Sequence, residues 1–209
     1  MQLERHELPP IGTHCYVLKD EATQRAVIFD APQQAWQVCE QSVRQQGLAV
    51  DALILTHGHW DHMLDAHFFN EAGIPVWAHR ADQTIIEDAA VQGAFSIPGL
   101  ELKSAQVDRW LEPGAIEVLG QKAEIRHVPG HCPGNILIHF PELGFAVVGD
   151  AIFKRGVGRF DLPGGDEQTL MTSIREQIFT LPPETQLLPG HGPATTVEEE
   201  RRLNPYVQA

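Results

Sequence analysis

Cysteine is scarce. The 209 residues hold three, Cys15, Cys39 and Cys132, an odd number with no CxxC spacing. That excludes a disulfide frame and points to a reducing compartment, the cytoplasm. Long apolar runs are missing as well. No stretch approaches the ~20 residues that span a bilayer, so no membrane partner is expected. The opening Met1-Gln2-Leu3-Glu4-Arg5-His6-Glu7 lacks the apolar centre of a signal peptide, and none is expected. Positive charge is short too, with 15 Lys and Arg against 28 Asp and Glu for a net charge of −13. A nucleic-acid surface needs clustered cations, so that class of function is excluded. The remainder is ordinary: 43% hydrophobic, 21% charged, and a length that fits one domain over 1–209.

Histidine is plentiful, with 11 in the chain, and one short segment concentrates it. His57-Gly58-His59-Trp60-Asp61-His62 places three imidazoles and a carboxylate just after the apolar Ala52-Leu53-Ile54-Leu55. Together, His and Asp suit a borderline cation such as zinc or iron. His57 and His59 flank a glycine, which lets the backbone turn sharply and aim both rings at one ion. Asp61 and His62 diverge as neighbours and are expected to reach a second ion. The segment reads as half of a two-metal site.

Three further positions share a pattern. His131, Asp150 and His191 each follow a glycine at the end of a strand-like run: 123–128, 145–148 and 185–188. Strand ends that feed loops are where a rigid scaffold presents functional groups. His6, His67, His79 and His139 lack that context and are expected to be ordinary surface or core residues. His127 lies inside a strand and is expected to serve a structural role.

Periodicity predicts hairpin strands at 15–18 and 26–29, a helix over 33–46 stopped by Gly47, and a strand at 52–55. A helix through 66–69, a strand at 75–78, a helix near 81–90 and a loop over 91–105 follow. The second half predicts hairpins 116–119 with 122–127 and 136–140 with 145–148. A helix over 167–179 capped by Asp166, a strand at 185–188 and a helix at 197–203 complete it. Two strand-rich blocks, each followed by helices, predict an α/β chain with two sheets face to face and helices outside.

The order Thr-His-x-His-x-Asp-His, then His131 in Pro-Gly-His-Cys-Pro-Gly, Gly149-Asp150 and Pro189-Gly190-His191-Gly192 resembles the metallo-β-lactamase superfamily. Within it the chain is similar to the glyoxalase II-like hydrolases. The run from Gly149 to Asp166 and the ending Glu200-Arg201-Arg202-Leu203-Asn204-Pro205-Tyr206 look like their short YcbL-type bacterial branch. The resemblance covers essentially the whole chain and implies an αββα sandwich of two mixed sheets.

The resemblance also implies roles. His57, His59 and His131 would hold one divalent ion, and Asp61, His62 and His191 a second. Asp150 would bridge both, together with a water or hydroxide. Zinc is the foremost ion, with iron or manganese as alternatives. Two dications about 3.5–4 Å apart lower the pKa of a shared water to around neutrality, giving a nucleophile for a carbonyl. Asp61 and Asp150 are the implied catalytic carboxylates, Asp61 orienting the hydroxide. The implied reaction is hydrolysis of a small-molecule thioester of glutathione type, such as S-lactoylglutathione. Arg159 aligns with a basic residue that contacts the glutathione moiety, and its alternative role is a salt bridge with Asp161.

A second implied activity is that of a persulfide dioxygenase with one iron on His57, His131 and Asp150. Two His and one carboxylate suit Fe(II) and oxygen, and Gly158-Arg159-Phe160-Asp161 fits that branch too. Some positions depart from the family pattern: Met63-Leu64 in place of Gly-Gly, His14-Cys15 in place of Asn-Cys, Asp30-Ala31-Pro32 in place of Asp-Pro-Gly, and Cys132 in place of Thr. These bear on substrate fit rather than on metal binding. Full-length glyoxalase II has a further C-terminal helical region that contacts glutathione. This sequence ends soon after His191, so weaker glutathione affinity is expected.

Overall fold

A computed structural model describes residues 1–93 and 96–208. The chain divides into two compact units, Met1–Leu111 and Glu112–Ala209.

The first unit runs β1 (Gln2–Leu8), β2 (Thr13–Asp20), β3 (Arg25–Phe29), α1 (Ala35–Ser42), β4 (Ala49–Ile54), α2 (Trp60–Met63), α3 (Ala66–Glu71), β5 (Val76–His79), α4 (Gln83–Glu87), α5 (Ala89–Gly93) and β6 (Arg109–Leu111). Its six strands form one sheet in the order β1-β2-β3-β4-β5-β6. The first three are antiparallel and the rest parallel. Cys15 to Leu18, Ala26 to Phe29 and Ala52 to Leu55 are all buried. Such unbroken apolar runs are what strands covered on both faces look like, which is why the predicted strands there are found.

β1 was not predicted. Gln-Leu-Glu-Arg-His-Glu-Leu has neither β-branched residues nor clean alternation, and its strand form comes from pairing Gln2↔Lys19 through Leu8↔Thr13. The helix predicted over 33–46 is shorter. α1 gives way to a 3-10 turn at Arg44–Gln46, closed by left-handed Gly47 at φ 82°. Its N-terminus receives its acceptor from a distance, since Asp65 Oδ2 accepts from Trp36 N at 3.0 Å. Burial raises the Asp65 carboxyl above its usual range. The helix predicted near 81–90 is split into α4 and α5. Residues 91–93 of the predicted loop over 91–105 belong to α5, and Ala94 and Phe95 lie outside the described residues.

The second unit runs β7 (Gly114–Val118), β8 (Gln121–His127), β9 (Ile136–Phe140), β10 (Phe145–Gly149), β11 (Ile152–Phe153), β12 (Gly156–Val157), α6 (Glu167–Ser173), β13 (Gln186–Pro189), β14 (Thr195–Thr196) and α7 (Val197–Leu203). Its main sheet has the order β14-β13-β10-β9-β8-β7. Only β10 and β13 run parallel within it. Asp166 caps α6 as expected, accepting from Thr169 N at 2.7 Å, and bonding to the Thr169 side chain, then to its backbone, holds the carboxyl below the usual range. The helix then continues as a π-helical turn, Ile174–Ile178. Leu170, Ile174 and Ile178 pack with Leu137, Ala146, Val148 and Leu187 into one buried cluster. Truncating a side chain such as Leu170 to Ala would cost about 2–5 kcal/mol.

Both sheets are mixed and both units carry helices, as the sequence predicts for the α/β class. No helix among the described residues is long and apolar enough to cross a membrane.

Candidate metal centre

In the first unit β4 delivers the histidine segment. His57, His59, Asp61 and His62 are all buried. The ring centroids of His57 and His59 lie 4.8 Å apart, and those of His57 and His62 4.1 Å apart. His62 Nε2 is 3.4 Å from Asp61 Oδ2. Gly58 does not use the left-handed conformation open to glycine, and its missing side chain has a use of its own. A Cβ there would sit 3.0 Å from Ile86 Cγ1 and 3.2 Å from Asp82 Cβ. Glycine lets the helical segment 80–87 pack directly on the turn, where Asp82 Oδ2 accepts from Gly58 N at 2.8 Å.

Sequence reasoning missed the residue that organises this half. Asp30 follows β3 directly, as Asp150 follows β10, and that shared context was the available signal. Its Oδ1 accepts from Thr56 N at 2.7 Å, and its Oδ2 accepts from Thr56 Oγ1 and His62 Nδ1, both at 2.8 Å. A carboxylate only accepts, so His62 carries its proton on Nδ1 and keeps a lone pair on Nε2. With its hydrogen committed to Asp30, the Thr56 hydroxyl oxygen accepts from His57 Nδ1 at 3.1 Å. The His57 lone pair is therefore also on Nε2. Thr13 Oγ1 donates to Asp61 Oδ2 at 2.8 Å and fixes the rotation of that carboxylate.

In the second unit, pairing brings the ligands together. β10 and β13 align Gly149 with Pro189, and Gly190 N donates to Gly149 O at 2.9 Å. Asp150 and His191 thus emerge side by side, with His191 Nε2 3.3 Å from Asp150 Oδ2. His131 arrives from the loop after β8. Its Nδ1 donates to the Arg159 carbonyl at 2.7 Å, leaving the Nε2 lone pair 3.8 Å from Asp150 Oδ2. Two glycines make this possible. Gly130, at φ 121°, lies against α6 so closely that a Cβ would overlap the Leu170 backbone. At Gly158 a Cβ would overlap the Asp150 carbonyl and come within 2.9 Å of His131 Nδ1. His127 has the structural role expected of it, donating from Nε2 to Pro133 O at 2.7 Å beneath the His131 loop.

The remaining predicted residues lie in other settings. Arg159 makes a bidentate pair with Asp161, Nε to Oδ1 and Nη2 to Oδ2 at 2.8 Å each. Both side chains are exposed, and the pairing raises the guanidinium pKa and lowers that of the carboxyl. His6 lies 3.5 Å from Glu4, His67 donates to Leu64 O, and His79 Nδ1 accepts from Ala81 N. His139 is buried in β9, and that burial lowers its pKa. The three cysteines are unlinked and buried.

The donor set fits divalent cations. Spacings of 3.3, 3.4 and 3.8 Å between imidazole Nε2 and carboxylate oxygen are longer than good N–H···O bonds, which span about 2.7–3.2 Å. They are close to the roughly 3.3 Å edge between two ligands on a tetrahedral ion with bonds near 2.0–2.1 Å. The hydrogen bonds behind the rings present lone pairs where such an ion would need them.

The fold and these donors define a class of metal-dependent protein. Residues 8–191 match the model of the metallo-beta-lactamase superfamily, and the chain belongs to that superfamily. Its two mixed sheets and helices are the metallo-beta-lactamase fold. It is similar along its length to the probable metallo-hydrolase YqgX of Bacillus subtilis, at 32% identity over 209 residues, 99% of this chain and 98% of that one. The hydroxyacylglutathione hydrolase GloC of Haemophilus influenzae is 32% identical over 218 residues, 100% of this chain and 99% of its own. The mitochondrial persulfide dioxygenase ETHE1 of Bos taurus is 32% identical over 202 residues, 94% of this chain and 72% of its own. Among solved structures, the B3 metallo-beta-lactamase BLEG-1 superposes with a TM-score of 0.91 at 31% identity, covering all of both chains. TTHA1623 in a di-iron-bound form gives 0.84 at 32%, covering 98% of this chain and 100% of that one.

Proposed function

We propose that this chain is a dinuclear metal-dependent hydrolase that cleaves thioesters of glutathione type, such as S-lactoylglutathione. The observation that carries the reading is the pair of half-sites. In each, an imidazole with its Nδ1 proton bonded away, His62 to Asp30 and His131 to the Arg159 carbonyl, sets its Nε2 lone pair 3.4 or 3.8 Å from a carboxylate oxygen. Full-length similarity to GloC supports the substrate class.

In this reading residues 1–209 act as one catalytic domain. His57, His59 and His131 hold one ion, Asp61, His62 and His191 the other, and Asp150 serves both. Zinc is the foremost candidate, with iron next because TTHA1623 carries two irons in its solved form. When bound, the ions supply an activated water and a Lewis acid for the carbonyl oxygen. Asp61, its rotation fixed by Thr13, orients the water. The thiol product ionises near pH 8.5, so its departure needs no strong acid among the side chains. Arg159 is the substrate-binding candidate. Its bond to exposed Asp161 is a screened surface pair, so a substrate carboxylate can displace it at little cost. Three buried thiols and a glutathione-type substrate both suit the cytoplasm.

The test is metal analysis of purified protein combined with assays on S-lactoylglutathione and a simple thioester. Two ions per chain and hydrolysis are expected. Protein that holds two ions yet cleaves neither substrate would sink the proposal. One iron per chain with oxygen uptake on glutathione persulfide would select the dioxygenase reading, which similarity to the bovine enzyme supports.

A further inference from the structure

The hairpin between Asp150 and Gly158 is held by a buried acid to which the reading above gives no role. β11 and β12 pair Ile152 with Val157 and Phe153 with Gly156, and Lys154-Arg155 form the tip with Arg155 at φ 60°. Behind the tip lies Glu200 of α7, 0% exposed. Its Oε1 accepts from Thr195 Oγ1 at 2.6 Å, and its Oε2 accepts from Arg155 N at 2.9 Å and Asn204 Nδ2 at 2.8 Å. The same Asn204 amide donates to Gly156 O at 3.0 Å. One carboxylate thus ties together the hairpin tip, β14 and the end of α7.

Burying an acid is costly unless its oxygens are filled, and as a source of stability alone it is a weak device. What this one holds gives it a use. Phe153, next to the tip, sets its ring edge-on to His191 with centroids 6.0 Å apart. On the other arm Val157 leads to Gly158, packed on the Asp150 carbonyl, and to Arg159, whose carbonyl takes the His131 proton at 2.7 Å. The hairpin therefore touches all three donors of the second unit. Half-buried Glu199 also pairs with the exposed Lys154 and Arg155, at 3.4 and 3.3 Å, but pairs to exposed cations are screened and too weak to fix the tip.

We propose that Glu200 is a positioning residue for the metal centre: by clamping the β11–β12 hairpin it holds His131, Asp150 and His191 in register for cations. This rests on the dinuclear reading above. The test compares the full-length zinc-loaded protein with Glu200→Ala and Glu200→Gln. Three quantities are followed: tryptic cleavage after Lys154 and Arg155 under native conditions, zinc affinity against a competing chelator, and the melting curve.

Alanine strands the Arg155 N–H and takes one of two acceptors from the Asn204 amide, which keeps Gly156 O. Each buried donor left without its acceptor makes the open hairpin roughly tenfold more populated. Cleavage at 154–155 is therefore expected to be at least about tenfold faster, and zinc affinity about 10–100-fold lower, with melting still cooperative. Glutamine can keep its oxygen on Arg155 N and Asn204 and turn its amide to Thr195 Oγ1, so Glu200→Gln is expected to restore both readouts. Wild-type cleavage or wild-type zinc affinity in Glu200→Ala would overturn the proposal, as would a glutamine variant as defective as alanine. Should Glu200→Ala fail to fold, Asn204→Ala removes one donor and the Gly156 bond, and the same shifts are expected in smaller measure. Unchanged behaviour there counts against the clamp. Wild-type protein that binds no zinc refutes the metal reading, while the cleavage contrast still decides the clamp.

Discussion

Exchanging Asp30 for Asn changes almost no volume and should remove His62 as a metal ligand. The buried Thr56 N–H, 2.7 Å from Asp30 Oδ1, requires an acceptor, so the amide oxygen takes that position. The NH2 then replaces Oδ2, which in the native protein accepts from Thr56 Oγ1 and His62 Nδ1 at 2.8 Å each. A donor there cannot receive the His62 proton. The ring shifts its proton to Nε2, and the lone pair facing Asp61 is lost. Flipping the amide rescues His62 but strands Thr56 N. Either way one or two charge-assisted hydrogen bonds disappear, each worth about 1.5–3 kcal/mol. That matches the roughly 10–100-fold losses in metal affinity typical when the partner behind a ligating imidazole is removed. Zinc equivalents per chain after dialysis, and zinc affinity by chelator competition, are the assays. The expected outcome is loss of the ion assigned to Asp61, His62 and His191, with the chain still folded by circular dichroism. Asp30→Asn protein that holds two ions with wild-type affinity would refute the tautomer reasoning.

Gly158→Ala should lower both zinc affinity and thioesterase activity by about 10–100-fold, because the added methyl overlaps the Asp150 carbonyl and crowds His131; wild-type zinc affinity would count against it. Gly130→Ala should instead act on stability. It forces α6 away from the His131 loop at a cost of about 1–3 kcal/mol for overpacking, plus backbone strain, read as a lower melting temperature. Arg159→Ala should raise KM for a glutathione thioester roughly tenfold with kcat and zinc content unchanged, because His131 is held by the backbone carbonyl and not by the guanidinium; a fall in kcat alone would contradict this. Burial lowers the His139 pKa in the fold below its ordinary value of 6.5. As pH falls, the unfolded chain takes up this proton first. The associated stability is therefore complete above pH 6.5 and is lost as pH falls through the folded value. His139→Gln should flatten the acid side of the melting-temperature profile below about pH 6.5, and an unchanged slope would reject the assignment.

Elements were legible in the sequence where burial dictates composition. β2, β3, β9, β10 and the second half of β4 are buried almost throughout, and burial on both faces requires the apolar runs that predicted them. β1 lies at a sheet edge, and β11, β12 and β14 have two residues each. Each pairs with the next or preceding strand, but none carries the buried apolar run that would announce it. The same division runs through the site. His57, His59, Asp61, His62, His131, Asp150 and His191 stood out because few residue types suit a dication and their spacing is restrictive. Glu200 did not. It sits in the run Glu198-Glu199-Glu200, which reads as a solvated helix face, and only tertiary packing buries the third acid while leaving the other two partly or fully exposed.

That division separates what a ligand motif specifies from what it leaves open. The motif supplies nitrogen and oxygen atoms, but an imidazole has two nitrogens, and only the one left without a proton can bind a cation. In this chain the choice is made by Asp30 for His62, by Asp30 through Thr56 for His57, and by the Arg159 carbonyl for His131. The third of these depends on a hairpin that Glu200 fixes from behind. A variant could therefore keep every residue of the motif and still lose its ions, through Asp30 or Glu200 alone. The converse also holds: a motif kept intact needs each ring to keep its proton on the nitrogen turned away from the ion, and for His57, His62 and His131 the groups behind them ensure it. Comparing zinc content in Asp30→Asn, Glu200→Ala and a direct ligand exchange such as His191→Ala would show how much of the centre lies in the motif and how much in its supports.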